Sequence, residues 1–248
     1  MELELSNLKF PEAVLVTDQE INTSGLSNNQ KEEYLELFKR ILNIYESSQK
    51  LRVVIGLAGP TGSGKSVIAS LFKQITQQLT LPFHFETVGI DAFHYPNSYL
   101  LSHEIANRPL KNFKGRFDTY NVASFTAMLK DFKEGRTVSL PEYSRKSHDP
   151  IENAVTIIEQ KTLLLVEGLW LLYDKNGWQE VGKYLDYSFF LDAKKDAVRD
   201  SVIKRHMHGG RSANEASTYY DEVDADNFDL IMKTGSKANE IISSYFYQ

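Results

Sequence analysis

The chain has 248 residues, 42% of them hydrophobic and 25% charged, which is enough for one large α/β domain with a substantial core. Its net charge of −5 argues against a nucleic-acid partner, and the absence of cysteine excludes disulfides and cysteine-based metal sites. No apolar run reaches the ~18 residues of a membrane span, and the acidic residues 1–5 lack the layout of a signal peptide, so we expect a cytoplasmic protein without a membrane partner.

Residues 1–27 are predicted to be a small N-terminal extension, with apolar side chains at the alternating positions Leu3, Leu5 and Leu8. The sequence at 27–32 is typical of a helix N-cap, and apolar residues recur at helical spacing from there to about Tyr45. We expect that apolar face to pack on the core. The remaining residues, 28–248, are predicted to form one larger domain.

Residues 59–66 read Gly-Pro-Thr-Gly-Ser-Gly-Lys-Ser, which fits the phosphate-binding pattern G-x-x-x-x-G-K-[ST]. An apolar run at 51–57 precedes this motif and helical apolar spacing over 66–78 follows it, so the motif is predicted to join a buried strand to a helix. Glycines let successive backbone N–H groups turn toward one anion, and the helix N-terminus adds to the attraction. The residues predicted to bind a nucleotide here are Gly59, Pro60, Thr61, Gly62, Ser63, Gly64, Lys65, Ser66 and Val67. We expect Lys65 to reach the β- and γ-phosphates and Ser66 to bind Mg²⁺.

The rest of the chain alternates between strand and helix patterns. Strands are predicted at 83–90, 138–143, 163–168 and 185–191, helices at 122–133, 196–207, 212–222 and 236–246, and loops at 98–121. This alternation predicts a mainly parallel sheet that helices cover on both faces. We therefore predict an α/β protein with the three-layer α/β/α fold of P-loop NTPases, together with a lid segment.

Two acidic residues, Asp91 and Glu167, stand at the ends of predicted strands, where P-loop proteins place the carboxylates that order a metal. Glu167 follows four apolar residues, which favours the metal role beside Ser66. We assign Asp91 as the general base for an acceptor hydroxyl. The segment that Asp91 opens also contains polar groups suited to a small substrate: His94, Tyr95 and Asn97. Two alternatives stay open, since Asp91 could only cap a turn, or the two carboxylates could exchange roles.

Three arginines, Arg199, Arg205 and Arg211, could supply the positive charge that phosphoryl transfer requires. A spacing of six places Arg199 and Arg205 about 240° apart around a helix, so we expect them to have different roles. Arg205 precedes Gly209 and Gly210, a pair able to hinge a lid. We favour Arg205 as the cation of the transition state and Arg199 as the next candidate at the nucleotide. The alternative is that both are solvated surface arginines.

Several ordered motifs over residues 30–245 are similar to those of one family of kinases. Residues 89–97 are similar to its D-G-F-[HY]-x-x-N element, residues 166–172 to its V-E-G element, and residues 141–150 to its P-x-Y-D-R and D-P elements. Residues 108–120 occupy the place of its R-x-K-G segment, and Asp226 with Asn227 resembles its late D-x-x-N. The chain resembles the P-loop kinases that include uridine kinase, phosphoribulokinase and type I pantothenate kinase. It is most similar to their uridine-kinase-like, fructose-transport-kinase-like branch.

The resemblance implies ATP and Mg²⁺ as cofactors, with Asp91 as the catalytic base, Lys65 at the phosphates, Glu167 near the metal, Arg205 in the lid and Asn227 near adenine. It also places four residues around the acceptor: His94, Tyr95, Lys114 and Arg145. Asn97 and Tyr143, from the same segments, complete the predicted substrate-binding set. The departures from the family pattern lie on the acceptor side, at Ala92, 116–118, Asn121 and Ser144.

The leading prediction is an ATP-dependent kinase that phosphorylates a hydroxyl of a small polar metabolite, such as a nucleoside, a sugar or sugar acid, or pantothenate. Four cations favour an acidic or phosphorylated acceptor: Arg108, Lys114, Arg116 and Arg145. The alternative is a regulatory ATPase or GTPase-type switch without a small-molecule acceptor, although the sequence lacks the guanine motif N-K-x-D. A third class, a module that binds nucleotide without turnover, conflicts with the intact phosphate-site residues. Self-association into a homodimer stays open.

Overall fold

The computed structural model describes residues 8–243, so Leu3, Leu5 and residues 244–246 of the predicted tail helix lie outside the described residues. The helices in this range are α1 (Asn28–Ser48), α2 (Lys65–Thr76), α3 (Asn97–Ser102), α4 (Val122–Lys133), α5 (Lys195–His208), α6 (Ala213–Tyr219) and α7 (Ala225–Met232). The strands are β1 (Ala13–Val16), β2 (Gln19–Asn22), β3 (Arg52–Ala58), β4 (His84–Gly89), β5 (Glu104–Ile105), β6 (Arg108–Pro109), β7 (Val138–Ser144), β8 (Asp149–Ile157), β9 (Thr162–Gly168), β10 (Tyr187–Asp192) and β11 (Glu240–Ser243).

The central sheet is parallel and, within the described residues, joins five strands in the order β11–β10–β3–β9–β4. β3 lies in the middle and pairs with β9 along its whole length. β4 pairs with the other edge of β9 and places Gly89 opposite Glu167. Because parallel strands end at the same edge of a sheet, the loop after β3, Glu167 and the residues that follow β4 meet there.

Each face of the sheet carries a hydrophobic core. Side chains alternate along β3, so that Val53, Ile55 and Leu57 pack with α1 and α2 on one face. Val54 and Ala58 pack with α4 on the other face. All five side chains are fully buried. The predicted three-layer α/β/α arrangement is confirmed.

The predicted N-terminal extension contains a β-hairpin that packs on α2. Its strands, β1 and β2, are antiparallel and are joined by a two-residue turn, Thr17 and Asp18. Val14 and Val16 are buried in the core that α2 shares. α1 follows and is capped by Ser27 through a capping box, as the sequence predicts.

The strands and helices predicted between residues 51 and 211 are present, with shifted ends. The predicted tail helix is wrong, because residues 240–243 form β11 and pair in parallel with β10. The predicted helix over 212–222 is also divided, since α6 passes into a π-helical turn, Tyr220–Asp224, and then into α7.

Two further segments differ from the prediction. β8 was not predicted and forms an antiparallel hairpin with β7. Residues 98–121, predicted as loops, contain most of α3 and the short β5–β6 hairpin. Among residues 8–243, no helix combines the length and the apolar composition that crossing a membrane would require.

Candidate active site

The glycine-rich motif at residues 59–66 joins the end of β3 to the start of α2, as predicted. Gly62 has a φ of +83°, and a Cβ built on it would lie 2.8 Å from Cγ2 of Val202 on α5. Gly59, with a φ of +150°, is similarly confined, since its Cβ would lie 2.8 Å from the carbonyl oxygen of Leu191 on β10. The loop therefore requires glycine at both positions, because α5 and β10 pack directly against it.

Lys65 is the first residue of α2, and its side chain is buried against the loop. Its Nζ donates hydrogen bonds to the carbonyl oxygen of Pro60 at 2.7 Å and to Oγ of Ser63 at 3.3 Å. Burial lowers the pKa of Lys65 to about 8, although the carboxylates of Glu167 and Asp91 favour its protonated form. Lys65 is thus a cation that the phosphate-binding loop itself holds in place.

The structure brings the two predicted metal ligands, Ser66 and Glu167, together. Oγ of Ser66 donates a hydrogen bond to Oε1 of Glu167 at 2.8 Å. Burial raises the pKa of Glu167, and the nearby ammonium of Lys65 opposes that shift. A hydroxyl and a carboxylate are hard oxygen donors of the kind that Mg²⁺ takes from a protein when phosphates and water complete its shell. The pair therefore fits this metal.

Asp91 lies on a 3₁₀ turn, Ile90–Phe93, directly after β4. Its Oδ1 accepts a hydrogen bond from the hydroxyl of Tyr120 at 3.1 Å. Burial would raise the pKa of Asp91, but the positive charges of Arg145 and Arg205 and that hydrogen bond lower it, so the carboxylate is ionised at neutral pH.

His94 is buried beside Asp91. Its ring packs on that of Tyr120 with centroids 3.9 Å apart, and its Nδ1 lies 2.9 Å from the backbone oxygen of Asp91. Burial lowers the pKa of His94 to about 4, so the ring is neutral at neutral pH. We assign the proton to Nδ1, which donates it to that oxygen; Nε2 is buried and has no hydrogen-bond partner in the described part of the chain. His94 therefore supports the Asp91 turn as an uncharged group.

A cavity of about 450 Å³ opens beside Asp91, between α2, β4, β7 and the N-terminal hairpin. The groups expected at the reacting centre that line it are Ser66, Asp91 and Glu167. Two of the six predicted substrate-binding residues also line it, Tyr143 and Arg145. The other four, His94, Tyr95, Asn97 and Lys114, do not. The cavity has the size of a small-metabolite site.

Lys114 and Asn97 lie next to the β7–β8 hairpin. Nζ of Lys114 donates to the carbonyl oxygen of His148 at 2.6 Å and to Oδ1 of Asn97 at 3.3 Å, and it lies 5.2 Å from the ring centroid of Tyr143. Burial lowers the pKa of Lys114 to about 8. Tyr95 stacks on a tyrosine of α3. Lys114 and Asn97 therefore support the hairpin that carries Tyr143.

Two of the four cations expected on the acceptor side have carboxylate partners. Arg108 forms an ion pair with Glu222, and Arg116 forms one with Asp118, each with an N···O distance of 3.0 Å. Neither arginine lines the cavity. Of the four predicted cations, Arg145 lines the cavity, and Lys114 lies beside the β7–β8 hairpin.

Arg145 is half-buried and lines the cavity. Its Nη1 donates a hydrogen bond to Oε1 of Gln19 at 3.0 Å. Within residues 8–243 no carboxylate lies at salt-bridge distance from its guanidinium. Burial and the nearby charge of Arg205 lower the pKa of Arg145. Arg145 therefore presents a positive charge to the cavity that the protein does not match with a contacting carboxylate.

α5 packs on the glycine-rich loop and carries both Arg199 and Arg205, which have different surroundings. Nη2 of Arg199 lies 3.3 Å from Oγ of Ser217 and 3.7 Å from Oδ1 of Asp221, so Arg199 ties α5 to the following helices. Arg205 is exposed in the last turn of α5 and is close enough to shift the pKa values of Lys65 and Asp91. The structure therefore brings Arg205, rather than Arg199, toward the reacting groups.

Asn227, predicted near adenine, is buried in α7 with 3% of its surface exposed. Its Nδ2 would lie 3.9 Å from a Cβ built on Gly115, so it faces the segment that leads to Tyr120. Sequence reasoning missed two site contacts, from Tyr120 to Asp91 and from Arg145 to Gln19. These pairs are 29 and 126 positions apart, so no local pattern could reveal either contact.

The model of the phosphoribulokinase / uridine kinase family matches residues 54–245. The chain belongs to that family. Among relatives, it is 31% identical over 230 residues to the uncharacterized protein YggC of Escherichia coli, a match that covers 90% of this chain and 94% of that protein. It is 28% identical over 177 residues to a pantothenate kinase of Streptococcus agalactiae, covering 71% of this chain and 56% of that enzyme. The chain thus matches just over half the length of this pantothenate kinase.

One solved structure has the same fold as this chain. It is a protein from Silicibacter sp. TM1040 described as a candidate fructose transport system kinase, with a TM-score of 0.72 and 23% identity. The superposition covers 84% of this chain and 98% of that one. Family membership makes the chain a P-loop kinase, an ATP-dependent enzyme that phosphorylates a small molecule.

Proposed function

We propose that this kinase transfers the γ-phosphate of ATP to a hydroxyl group of a small metabolite that also carries a negative charge. The position of Asp91 carries the proposal. Its carboxylate is ionised, accepts a hydrogen bond from Tyr120, and lines the same cavity as Ser66 and Glu167. A hydroxyl bound in this cavity lies between a base and the phosphate-binding loop.

The residues around the γ-phosphate have separate roles in binding phosphate, holding the metal and accepting the proton. Lys65 and the backbone N–H groups of residues 59–66 hold the phosphates, and Arg205 adds positive charge from α5. Ser66 and Glu167 are the residues that would hold Mg²⁺, which when bound neutralises charge on the transferring phosphate. Asp91 accepts the proton as the hydroxyl oxygen bonds to the γ-phosphorus and ADP departs. Tyr120 keeps the Asp91 carboxylate oriented during this step.

Arg145 favours an anionic acceptor over a neutral one. Its charge faces the cavity, and its hydrogen-bond partner, the amide of Gln19, is neutral. A half-buried guanidinium gains most from a carboxylate or phosphate, with which it forms charge-assisted hydrogen bonds. A sugar acid or a pantothenate-like acid therefore suits the cavity better than a nucleoside.

The proposal also covers the nucleotide site, the bounds of the kinase domain and the cellular compartment. We assign Asn227 and Arg199 to the nucleotide side and ATP as the phosphate donor. Residues 28–248 form the kinase domain. The enzyme works in the cytoplasm, where ATP is abundant.

An assay that couples ADP release to a spectroscopic signal tests the proposal. Each reaction contains the enzyme, ATP, Mg²⁺ and a single test compound. The test compounds are matched pairs of an acid and a neutral analogue, namely glycerate and glycerol, gluconate and glucose, and pantothenate and panthenol, with nucleosides as a further set. We expect an acid to raise ADP release above the rate without acceptor. A set in which no compound raises the rate would overturn the proposal, and a preference for neutral members would overturn the anionic acceptor.

A charge-removing variant, Arg145→Gln, links that preference to the residue. Loss of a hydrogen bond to a charged group should raise the KM for the acid about 10- to 100-fold and leave the KM for ATP unchanged. The neighbouring exposed Lys146→Gln is the matched control and should behave as wild type. An equal rise in both variants would show that general charge, and not Arg145, attracts the acceptor.

A further inference from the structure

The N-terminal hairpin contacts the acceptor side of the molecule. Leu15, Val16 and Thr17 line the cavity together with Asp91 and Arg145. The hairpin precedes residue 54, where the match to the family model begins. The cavity wall therefore includes a segment outside the part of the chain that the family model matches.

The base of the hairpin is fixed to the body of the protein. Val14 and Val16 are 1% and 2% exposed in the core shared with α2. After β2, Oγ1 of Thr23 donates a hydrogen bond to the carbonyl oxygen of Pro11 at 2.6 Å. The backbone N–H of Thr23 donates one to the carbonyl oxygen of Glu12 at 2.8 Å. The hairpin is thus an anchored part of the fold, and its tip has a defined position.

The tip of the hairpin binds the turn between β7 and β8. Oδ2 of Asp18 accepts a hydrogen bond from the backbone N–H of Lys146 at 2.8 Å and one from Oγ of Ser144 at 3.4 Å. Desolvation would raise the pKa of Asp18, but the hydrogen bond from Lys146 and other local hydrogen bonds lower it. Thr17 adopts a φ of +58°, which β-branched residues rarely occupy, to make this turn. The tip therefore holds the segment that carries Arg145.

Gln19 holds the Arg145 side chain itself. Its Oε1 accepts from Nη1 of Arg145 at 3.0 Å, while the guanidinium has further N–H groups to present to the cavity. An amide oxygen orients a guanidinium without neutralising it, whereas a carboxylate at the same place would cancel the charge. The choice of glutamine at position 19 therefore keeps Arg145 both oriented and positively charged.

We infer that the N-terminal hairpin, residues 13–22, is a wall of the acceptor site and that Gln19 is a positioning residue that aims Arg145 at the anionic group of the acceptor. This inference rests on the proposed function of the cavity. It assigns a role in acceptor selection to the segment before the main domain.

Hydrogen exchange tests the docking of the hairpin without an acceptor. Asp18→Ala removes the acceptor of the Lys146 N–H, so this amide should exchange about 10-fold faster than in wild type. Glu20→Ala, an exposed change on the same strand, is the matched control and should leave the exchange unchanged. Exchange in Asp18→Ala equal to that of wild type would overturn the inference, whether or not an acceptor has been identified.

Kinetics with the acid that the ADP-release assay identifies test the role of Gln19. Loss of one hydrogen bond in Gln19→Ala should raise the KM for the acid about 3- to 10-fold, with kcat and the KM for ATP unchanged. Gln19→Glu should also raise that KM, because the new carboxylate keeps an accepting oxygen but neutralises the charge of Arg145. The KM for a neutral compound should be the same in Gln19→Glu and in wild type. Equal KM values for the acid in Gln19→Ala and Glu20→Ala would overturn the inference. If no compound serves as an acceptor, the proposed function fails, and the exchange experiment still decides whether the hairpin holds the turn.

Discussion

The carboxylate of Asp91 is held at one oxygen by the hydroxyl of Tyr120 and borders the cavity. Its lowered pKa keeps it ionised at neutral pH, and Glu167 beside it has a raised pKa and a hydrogen bond from Ser66. The two carboxylates, whose exchange of roles the sequence kept open as an alternative, therefore have different surroundings. The contact with Ser66 favours Glu167 for the metal, and the ionised carboxylate that Tyr120 holds favours Asp91 for the hydroxyl.

The variant Asp91→Asn should lower kcat about 100-fold or more, because an amide cannot accept the proton of the acceptor hydroxyl. ATP should bind as in wild type, which calorimetry can measure beside the rate of ADP release. Asp200→Asn, an exposed change on α5, is the matched control. An unchanged kcat in Asp91→Asn would remove this residue as the base.

The pH dependence of ATP use should report the pKa of Lys65. With a pKa of about 8 in the free enzyme, Lys65 is protonated below that pH and loses its charge as the pH rises through it. The value of kcat/KM for ATP should therefore be level near pH 7 and fall about tenfold per pH unit well above pH 8. Bound phosphates favour the protonated form, so kcat should persist to higher pH. A kcat/KM for ATP that stays level to about pH 9.5 would contradict this assignment.

At the scale of elements, α5 connects the phosphate-binding loop to the helices that follow it. Its inner face meets Gly62 through Val198 and Val202, and its last turn carries Arg205. His206 of the same turn lies 2.7 Å from a carboxylate oxygen of Asp224 and so joins α5 to the π-helical turn. Arg205 is therefore presented from a helix that is fixed at both the loop and the following segment.

The variant Arg205→Ala should lower kcat by about 10³-fold, the lower end of the effect of an arginine that stabilises the transferring phosphate. The adjacent exposed Lys204→Ala removes a positive charge from the same turn and should have little effect. Rapid-quench measurement of the chemical step separates this loss from slower product release. Equal rates for the two variants would show that Arg205 is a solvated surface residue without a role in phosphoryl transfer.

Local sequence pattern could predict the phosphate-binding loop and most strands and helices of the main domain. The loop at 59–66, the strand that ends at Glu167 and the helix Val122–Lys133 each have a signal within a short stretch of sequence. β11 lacks such a signal, because its strand conformation depends on pairing with β10, about 50 residues earlier in the chain. β8 likewise depends on β7. The contact between Gln19 and Arg145 could not be predicted for the same reason, since the two residues meet only in the folded chain.

At the scale of the whole molecule, one edge of the parallel sheet gathers the loop after β3, the end of β9 and the turn after β4. The N-terminal hairpin and the β7–β8 hairpin then form the walls of a cavity beside this edge. In the proposed function, phosphate binding and acceptor binding therefore fall on different parts of the chain. The first depends on the sheet and its loops, and the second on two hairpins that contact each other.

The fate of the γ-phosphate is the measurement that tests this account most directly. ATP radiolabelled on its γ-phosphate is incubated with the enzyme, Mg²⁺ and the acid that accelerates ADP release, and the labelled products are separated. The account predicts one labelled phosphate ester of the acid for each ADP formed. Label that appears only as inorganic phosphate would contradict it and would favour an ATPase-type switch.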